Sequence, residues 1–216
     1  MTHETVRLGP FGLRGEFDSG LQSQSQLLGL VVLVGSGSGQ ASRREDAMLE
    51  VLHEHRLATL HFGLPAVVGT GTADGSSPTA ATPLEQRSQR LGEVLAWLWS
   101  QRAFGGRRLG LFGVGSAAVV ALRAAAEHPG PVAAVVAGCG RPDLAARALP
   151  EVQAPTLLIV AARDIASVNL HRDALRLLRC RKRLEVVPGA SGQLNEPGSL
   201  AAASHLAAAW FENHLA

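Results

Sequence analysis

A chain of 216 residues with 46% hydrophobic and 18% charged residues has the make-up of one globular domain, able to bury roughly 70% of its unfolded surface. A formal net charge of +2 and an aromatic content of 4% argue against a nucleic-acid surface, which needs concentrated positive charge and exposed rings. No apolar run approaches the roughly 20 residues that span a bilayer, so neither nucleic acid nor membrane is an expected partner.

Residues 5–18 read as two short strands broken at Gly9-Pro10, an opening hairpin. After a polar loop, residues 30–34 form a continuous apolar run, the pattern of a strand buried on both faces of a parallel sheet. It stops in Gly35-Ser36-Gly37-Ser38-Gly39. Ala47, Met48, Val51 and Leu52 fall at helical spacing in residues 43–55, and 57–62 is the next strand. Residues 63–82, rich in Gly, Thr, Ser and Pro, read as a long surface loop. A helix starts near Pro83 and runs through Leu91, Val94, Leu95 and Leu98. Strand 109–112, a Gly113-Val114-Gly115-Ser116 turn and an apolar helix 117–125 follow. Then come strand 132–136, a short helix 143–149, strand 156–160, helix 170–178, strand 184–187 and an Ala-rich helix 200–215.

Strand and helix alternate throughout, with no internal repeat and no second domain. The reading is a single α/β domain over residues 1–216, a mostly parallel central sheet with helices on both faces and no large cap domain. In such sheets ligands bind beyond the carboxyl ends of the strands. That rule singles out the junctions at 35–39, from 63 onward, at 113–117, at 138–141 and at Arg163-Asp164.

The order of these elements resembles the α/β-hydrolase fold. Three strings narrow the resemblance: Arg141-Pro142-Asp143-Leu144-Ala145, Ala154-Pro155-Thr156-Leu157-Leu158-Ile159-Val160 and Arg183-Leu184-Glu185-Val186-Val187-Pro188-Gly189-Ala190. They are similar to those of the small dienelactone-hydrolase-like esterases, and the similarity runs from about Leu30 to Leu215. That resemblance implies a serine on a sharp G-x-S-x-G elbow, a histidine that takes its proton and a carboxylate that orients the histidine. It also implies backbone N–H donors for the oxyanion.

Carried over residue by residue, the resemblance puts Gly115 at the nucleophile position and Gly192, after Gly189-Ala190-Ser191, at the histidine position. Asp164 takes the acid position, and Val34-Gly35 stands where relatives begin the oxyanion loop with His-Gly. Two of the three catalytic positions are therefore glycine, and an orthodox serine-hydrolase mechanism is not expected.

Ser116, one residue past the elbow position, reads either as a displaced nucleophile or as a helix-start serine. Cys139, between Gly138 and Gly140 at a strand end, reads as a candidate thiol nucleophile or as a small buried hydrophobe. Asp164 reads as a cleft carboxylate or as a turn cap. Among the eight histidines, His61 lies near a strand end and within reach of the pocket. No ligand-spaced cluster predicts a metal, and the two cysteines, Cys139 and Cys180, are too far apart in sequence to form a metal-type pair. Residues 1–10 carry no signal-peptide pattern, so a reducing, cytoplasmic setting is expected. Gly113 to Ala118 also fits a relaxed dinucleotide pattern, but the acid expected at the end of the next strand is missing, so no cofactor is expected.

Two functions compete. One is a non-hydrolytic pseudo-enzyme that binds or transforms a small, mostly apolar ligand, with Gly35, Ser36, Gly37, His61 and Gly115 lining its site. The other is an active esterase or lactonase in which Ser116 or Cys139 attacks, Asp164 assists and His61 replaces the base. A homo-oligomer is compatible with either.

Overall fold

The computed structural model describes residues 3–9, 12–19, 28–35, 43–64, 84–101 and 108–216. Ser36, Gly37 and all but the first two residues of the expected loop 63–82 lie outside these segments.

Eight strands form one sheet: β1 (His3–Leu8), β2 (Leu13–Asp18), β3 (Gly29–Gly35), β4 (Leu57–Gly63), β5 (Leu109–Val114), β6 (Val132–Gly138), β7 (Thr156–Ala161) and β8 (Lys182–Val187). Their spatial order is β1-β2-β4-β3-β5-β6-β7-β8. The opening hairpin is antiparallel, with His3 opposite Asp18 and Leu8 opposite Leu13, and β2 also runs antiparallel to β4. From β4 to β8 every pair is parallel.

The continuous apolar strings explain the sheet's centre. Every residue of β3, β4 and β7 is buried, as two-sided cover by helices demands. Along one register line, His61, Leu33 and Phe112 lie side by side and share a face of the sheet. That face is covered by α1 (Arg43–Glu54) and α5 (Ser199–Leu215), and Met48, Leu49, Leu52, Ala207 and Phe211 fill the interface. The opposite face carries α2 (Leu84–Ser100), α3 (Ser116–Glu127) and α4 (Ile165–Leu177), whose Leu91, Leu95, Val120 and Ala174 join one core.

Three expectations change in detail. α1 buries Met48, Leu49 and Leu52, one step round from the stripe read in the sequence. The expected helix at 143–149 is two 3-10 turns, Pro142–Ala145 and Leu149–Glu151, each with a proline in its first turn. α4 begins five residues early, at Ile165, because Asp164 caps it: Ser167 N–H donates to Asp164 Oδ1 at 3.0 Å. No cap domain is present among the described residues.

Candidate active site

The carboxyl ends of β5, β6 and β7 and the loop after β8 converge at one end of the sheet. At the end of β5 the chain makes a tight turn into α3. Gly115 sits there at φ 63°, ψ −124°, a sparsely populated combination that glycine adopts freely and other residues only under strain. Its neighbours must be small. A carbon added to Gly113 would lie 2.3 Å from Ala117 O, and one added to Gly140 would lie 2.5 Å from Gly115 O. Gly115 differs: a carbon in that direction would meet nothing within 4 Å. The turn therefore presents an open position at the expected nucleophile site, and no side chain fills it.

Asp164 lies at the end of β7, at the expected acid position. Besides the Ser167 N–H, it accepts the Ser167 hydroxyl at 2.7 Å through Oδ2. The Ser167 backbone donor, followed by the hydroxyl, holds the carboxyl below its ordinary value. A carbon built on Gly192 would stand 3.1 Å from the same Oδ2. The residue expected to be the histidine thus faces the residue expected to orient it. Next to Asp164, His171 is 1% exposed and its Nδ1 donates to Ser167 O at 2.7 Å. Burial lowers its pKa.

Cys139 is half-buried after β6, at φ 48°, an unusual backbone for a non-glycine residue. Burial first, and then the nearby Asp164 charge, outweigh the Arg44 charge and a backbone donor and push its thiol up to about 11. The thiol is therefore protonated at neutral pH, the reverse of what a nucleophile needs.

His61 is 1% exposed on β4, and neither ring nitrogen has a hydrogen-bond partner. Its Nε2 is 3.7 Å from Glu45 Oε1. A carbon on Gly35 would lie 2.7 Å from that Nε2, so glycine at the end of β3 lets the ring close over the strand. β3 separates β4 from β5, which puts His61 about 10 Å across the sheet from the Gly115 turn. Ser116 is the exposed first residue of α3, and its Oγ accepts from Arg87 Nη1 at 3.4 Å. The structure brings together Gly115, Ser116, Cys139, Asp164 and Gly192, and does not join His61 to either candidate nucleophile.

No protein-family model matches the chain. A crystal structure of a dienelactone hydrolase from Anabaena variabilis does: it covers 100% of this chain and 98% of its own length at 35% identity, with a TM-score of 0.86. The chain belongs to the dienelactone-hydrolase-like family of α/β-hydrolases. Est1E from Butyrivibrio proteoclasticus, solved with ferulic acid, shares the fold at 13% identity and a TM-score of 0.74, covering 98% of this chain and 99% of its own. Proteins from two strains of Mycobacterium tuberculosis, provisionally named phosphoribosyl transferases, are 38% identical over 188 residues. That match takes in 87% of this chain and 41% of theirs, so the chain spans about two fifths of the length of the curated relatives it matches.

Within this dienelactone-hydrolase-like frame, three residues not singled out in the sequence shape the site. Arg44, at the start of α1, donates to Asn195 Oδ1 and Gln193 O and ties down the loop that carries Gly192. Glu196 closes the same loop by accepting the Ser191 N–H at 2.9 Å and the Ser191 hydroxyl at 3.2 Å. Those bonds, the backbone one foremost, hold its carboxyl below the ordinary value. Arg87, on α2, has its Nε and Nη2 buried without a partner, and burial lowers its pKa. Each belongs to an ordinary polar stretch of sequence, and only the fold shows what it reaches. Among the described residues no group of three or more metal-type side chains converges, and no helix is long and apolar enough to cross a membrane.

Proposed function

We propose that this family member has given up triad chemistry and acts as a non-hydrolytic pseudo-enzyme. Its cleft binds a small, mostly apolar ligand, or transforms one by shape and backbone donors alone. The observation that carries the reading is the pair of glycines. Gly115 holds the elbow conformation with open space where a side chain would point, and Gly192 faces Asp164 with no side chain to offer it. Loss of both proton-transfer partners, in a turn that still has its shape, fits abandonment of one chemistry with retention of a site. The free thiols Cys139 and Cys180 agree with a reducing, cytoplasmic setting.

The competing reading is an esterase or lactonase with substitute residues, and Asp164 beside the elbow is the observation in its favour. It asks Ser116 or Cys139 to attack and His61 to act as base. Against it stand the raised Cys139 thiol and the strand that lies between His61 and the elbow. The transferase name of the Mycobacterium tuberculosis relatives attaches to chains of which this one matches 41%, and the reading takes no substrate from it.

The test is turnover of a panel of short-chain esters and lactones by the native chain. No turnover, together with saturable binding of an apolar probe such as 8-anilinonaphthalene-1-sulfonate displaced by small ligands, supports the pseudo-enzyme. Efficient turnover lost in Ser116→Ala or Cys139→Ala overturns it.

A further inference from the structure

β8 ends the sheet on one side, and among the described residues no strand pairs with its outer edge. Arg181 O accepts from Thr156 N–H at 2.8 Å and Val187 O from Ala162 N–H at 3.0 Å, so the odd-numbered residues turn their backbone groups towards β7. Backbone groups alternate along a strand, and those of Lys182, Leu184 and Val186 therefore point outwards. Exposed edges are commonly blunted by a proline, a bulge or an outstretched lysine. The register of β8 with β7 is unbroken from Lys182 to Val187, and no proline interrupts it. Lys182 is drawn back to its own chain, where its Nζ donates to Leu178 O at 2.6 Å.

The side chains of this edge are complementary to themselves. Leu184 packs with the core on the α4 side of the sheet, whereas Arg183 and Glu185 lie on the other face with the buried Val187. Arg183 Nε is 2.5 Å from Glu185 Oε1 of the same strand. An antiparallel copy of β8 meets the edge only in registers that set even residues opposite even ones, since only those offer free N–H and C=O groups. With the two-fold axis at Leu184, Arg183 stands opposite Glu185 of the second copy and Glu185 opposite its Arg183, a ring of alternating charge. An axis at Arg183 or at Glu185 would oppose like charges instead, which is unfavourable. Parallel pairing would lay Arg179, Arg181 and Lys182 of two copies side by side, while the antiparallel arrangement sends those basic ends apart.

We propose that β8 is the interface of a two-fold dimer, pairing antiparallel with β8 of a second copy of this chain about an axis at Leu184. Leu184 exchanges N–H and C=O bonds with Leu184 of the second copy, and Lys182 does so with Val186 on either side. Val186, 37% exposed, gains cover from the apolar stem of the opposing Lys182. The two sheets then run on as one, and the same surface serves both copies. β6 and β7 separate this edge from the elbow strand, so the dimer stands whether or not the cleft is catalytic.

The test is sedimentation velocity of the full chain from about 5 to 500 µM, a range that captures small, transient interfaces, with amide hydrogen exchange at both ends of it. The native chain is expected to pass from monomer to dimer, and the Leu184 and Val186 amides to exchange roughly tenfold more slowly when dimeric. Glu185→Arg, which sets arginine against arginine, is expected to abolish the dimer. Arg183→Glu/Glu185→Arg, in which the charges alternate again, is expected to restore it. Val186→Pro removes an outward N–H and leaves the bonds to β7 in place, so it is expected to fold and to weaken the dimer roughly tenfold or more.

A native chain that stays monomeric throughout that range overturns the proposal, whatever the variants do. So does a dimer whose Leu184 and Val186 amides exchange as fast as the monomer's, or one that a folded Glu185→Arg leaves unchanged. A charge-swapped variant that folds and stays monomeric overturns the Leu184 register. Should Glu185→Arg fail to fold, the exchange pattern and Val186→Pro decide, and a dimer undiminished in Val186→Pro overturns the proposal.

Discussion

Gly192 faces Asp164: a side chain begun at Gly192 would place its first carbon 3.1 Å from Asp164 Oδ2. The distance has two meanings. It puts residue 192 where a proton-carrying ring would be oriented by Asp164, and it shows the carboxylate leaning slightly into the space the ring's stem would need. Asp164 is held there by two hydrogen bonds from Ser167, so a residue that once oriented a base now also serves as a helix cap under our proposal.

The elbow's glycines should differ sharply in tolerance. Gly113→Ala drives a carbon to 2.3 Å from Ala117 O, against backbone that cannot move without the helix. Gly140→Ala meets Gly115 O at 2.5 Å and Ala118 Cβ at 2.8 Å. Each should lose about 1–3 kcal/mol of stability or more, the range of overpacked cores. Gly115→Ala meets no atom, so its loss should come from the strained backbone alone and sit at the low end of about 1–3 kcal/mol. Urea denaturation of the three variants checks the order, and a Gly115→Ala loss as large as that of Gly113→Ala would contradict it.

Cys139 should be a slow thiol. With its pKa pushed up to about 11, its thiolate fraction at pH 8 is on the order of a hundredfold below that of an ordinary thiol. Iodoacetamide labelling of a Cys180→Ser variant should therefore be slow at pH 8 and accelerate steadily towards pH 11. Rapid labelling that levels off near pH 7 would show an activated thiol and revive Cys139 as a nucleophile.

Acid should erase what Asp164 and Glu196 contribute. Both carboxyls are held below their ordinary values in the folded chain, chiefly by backbone donors from Ser167 and Ser191 respectively. A depressed folded pKa means stabilisation that is complete above the unfolded value, about 4, and lost as the pH falls through the lower folded one. An Asp164→Ala/Glu196→Ala variant should thus melt below the native chain at pH 7, and the gap should narrow below pH 4. A gap of constant size from pH 7 to pH 3 would contradict this.

Much of the fold is legible because burial on two faces leaves a plain mark. The runs around Val31 and Leu158 are continuously apolar, as in the middle of a covered parallel sheet, and β4 is just as buried although Thr59 and His61 interrupt its apolar run. α4 was harder to bound. Its first turn carries the exposed Ile165 beside polar residues, so the apolar rhythm starts late, while the true start is fixed by a cap that needs Asp164 and Ser167 to meet. The elbow and Asp164 were readable as positions, because turn glycines and strand-end acids stand out in sequence. Arg87 was not. An arginine on an amphipathic helix looks like solvated surface until the fold shuts two of its nitrogens away from water.

The central claim is that the elbow and Asp164 keep their places while the nucleophile and histidine side chains are gone. It is tested most directly by hydrolysis of 4-nitrophenyl acetate in the Gly115→Ser/Gly192→His double variant, beside the native chain and each single change. The account predicts turnover above background in the double variant alone, after Asp164 gives way by a few tenths of an ångström. A double variant that folds and melts like the native chain yet stays inert would contradict it.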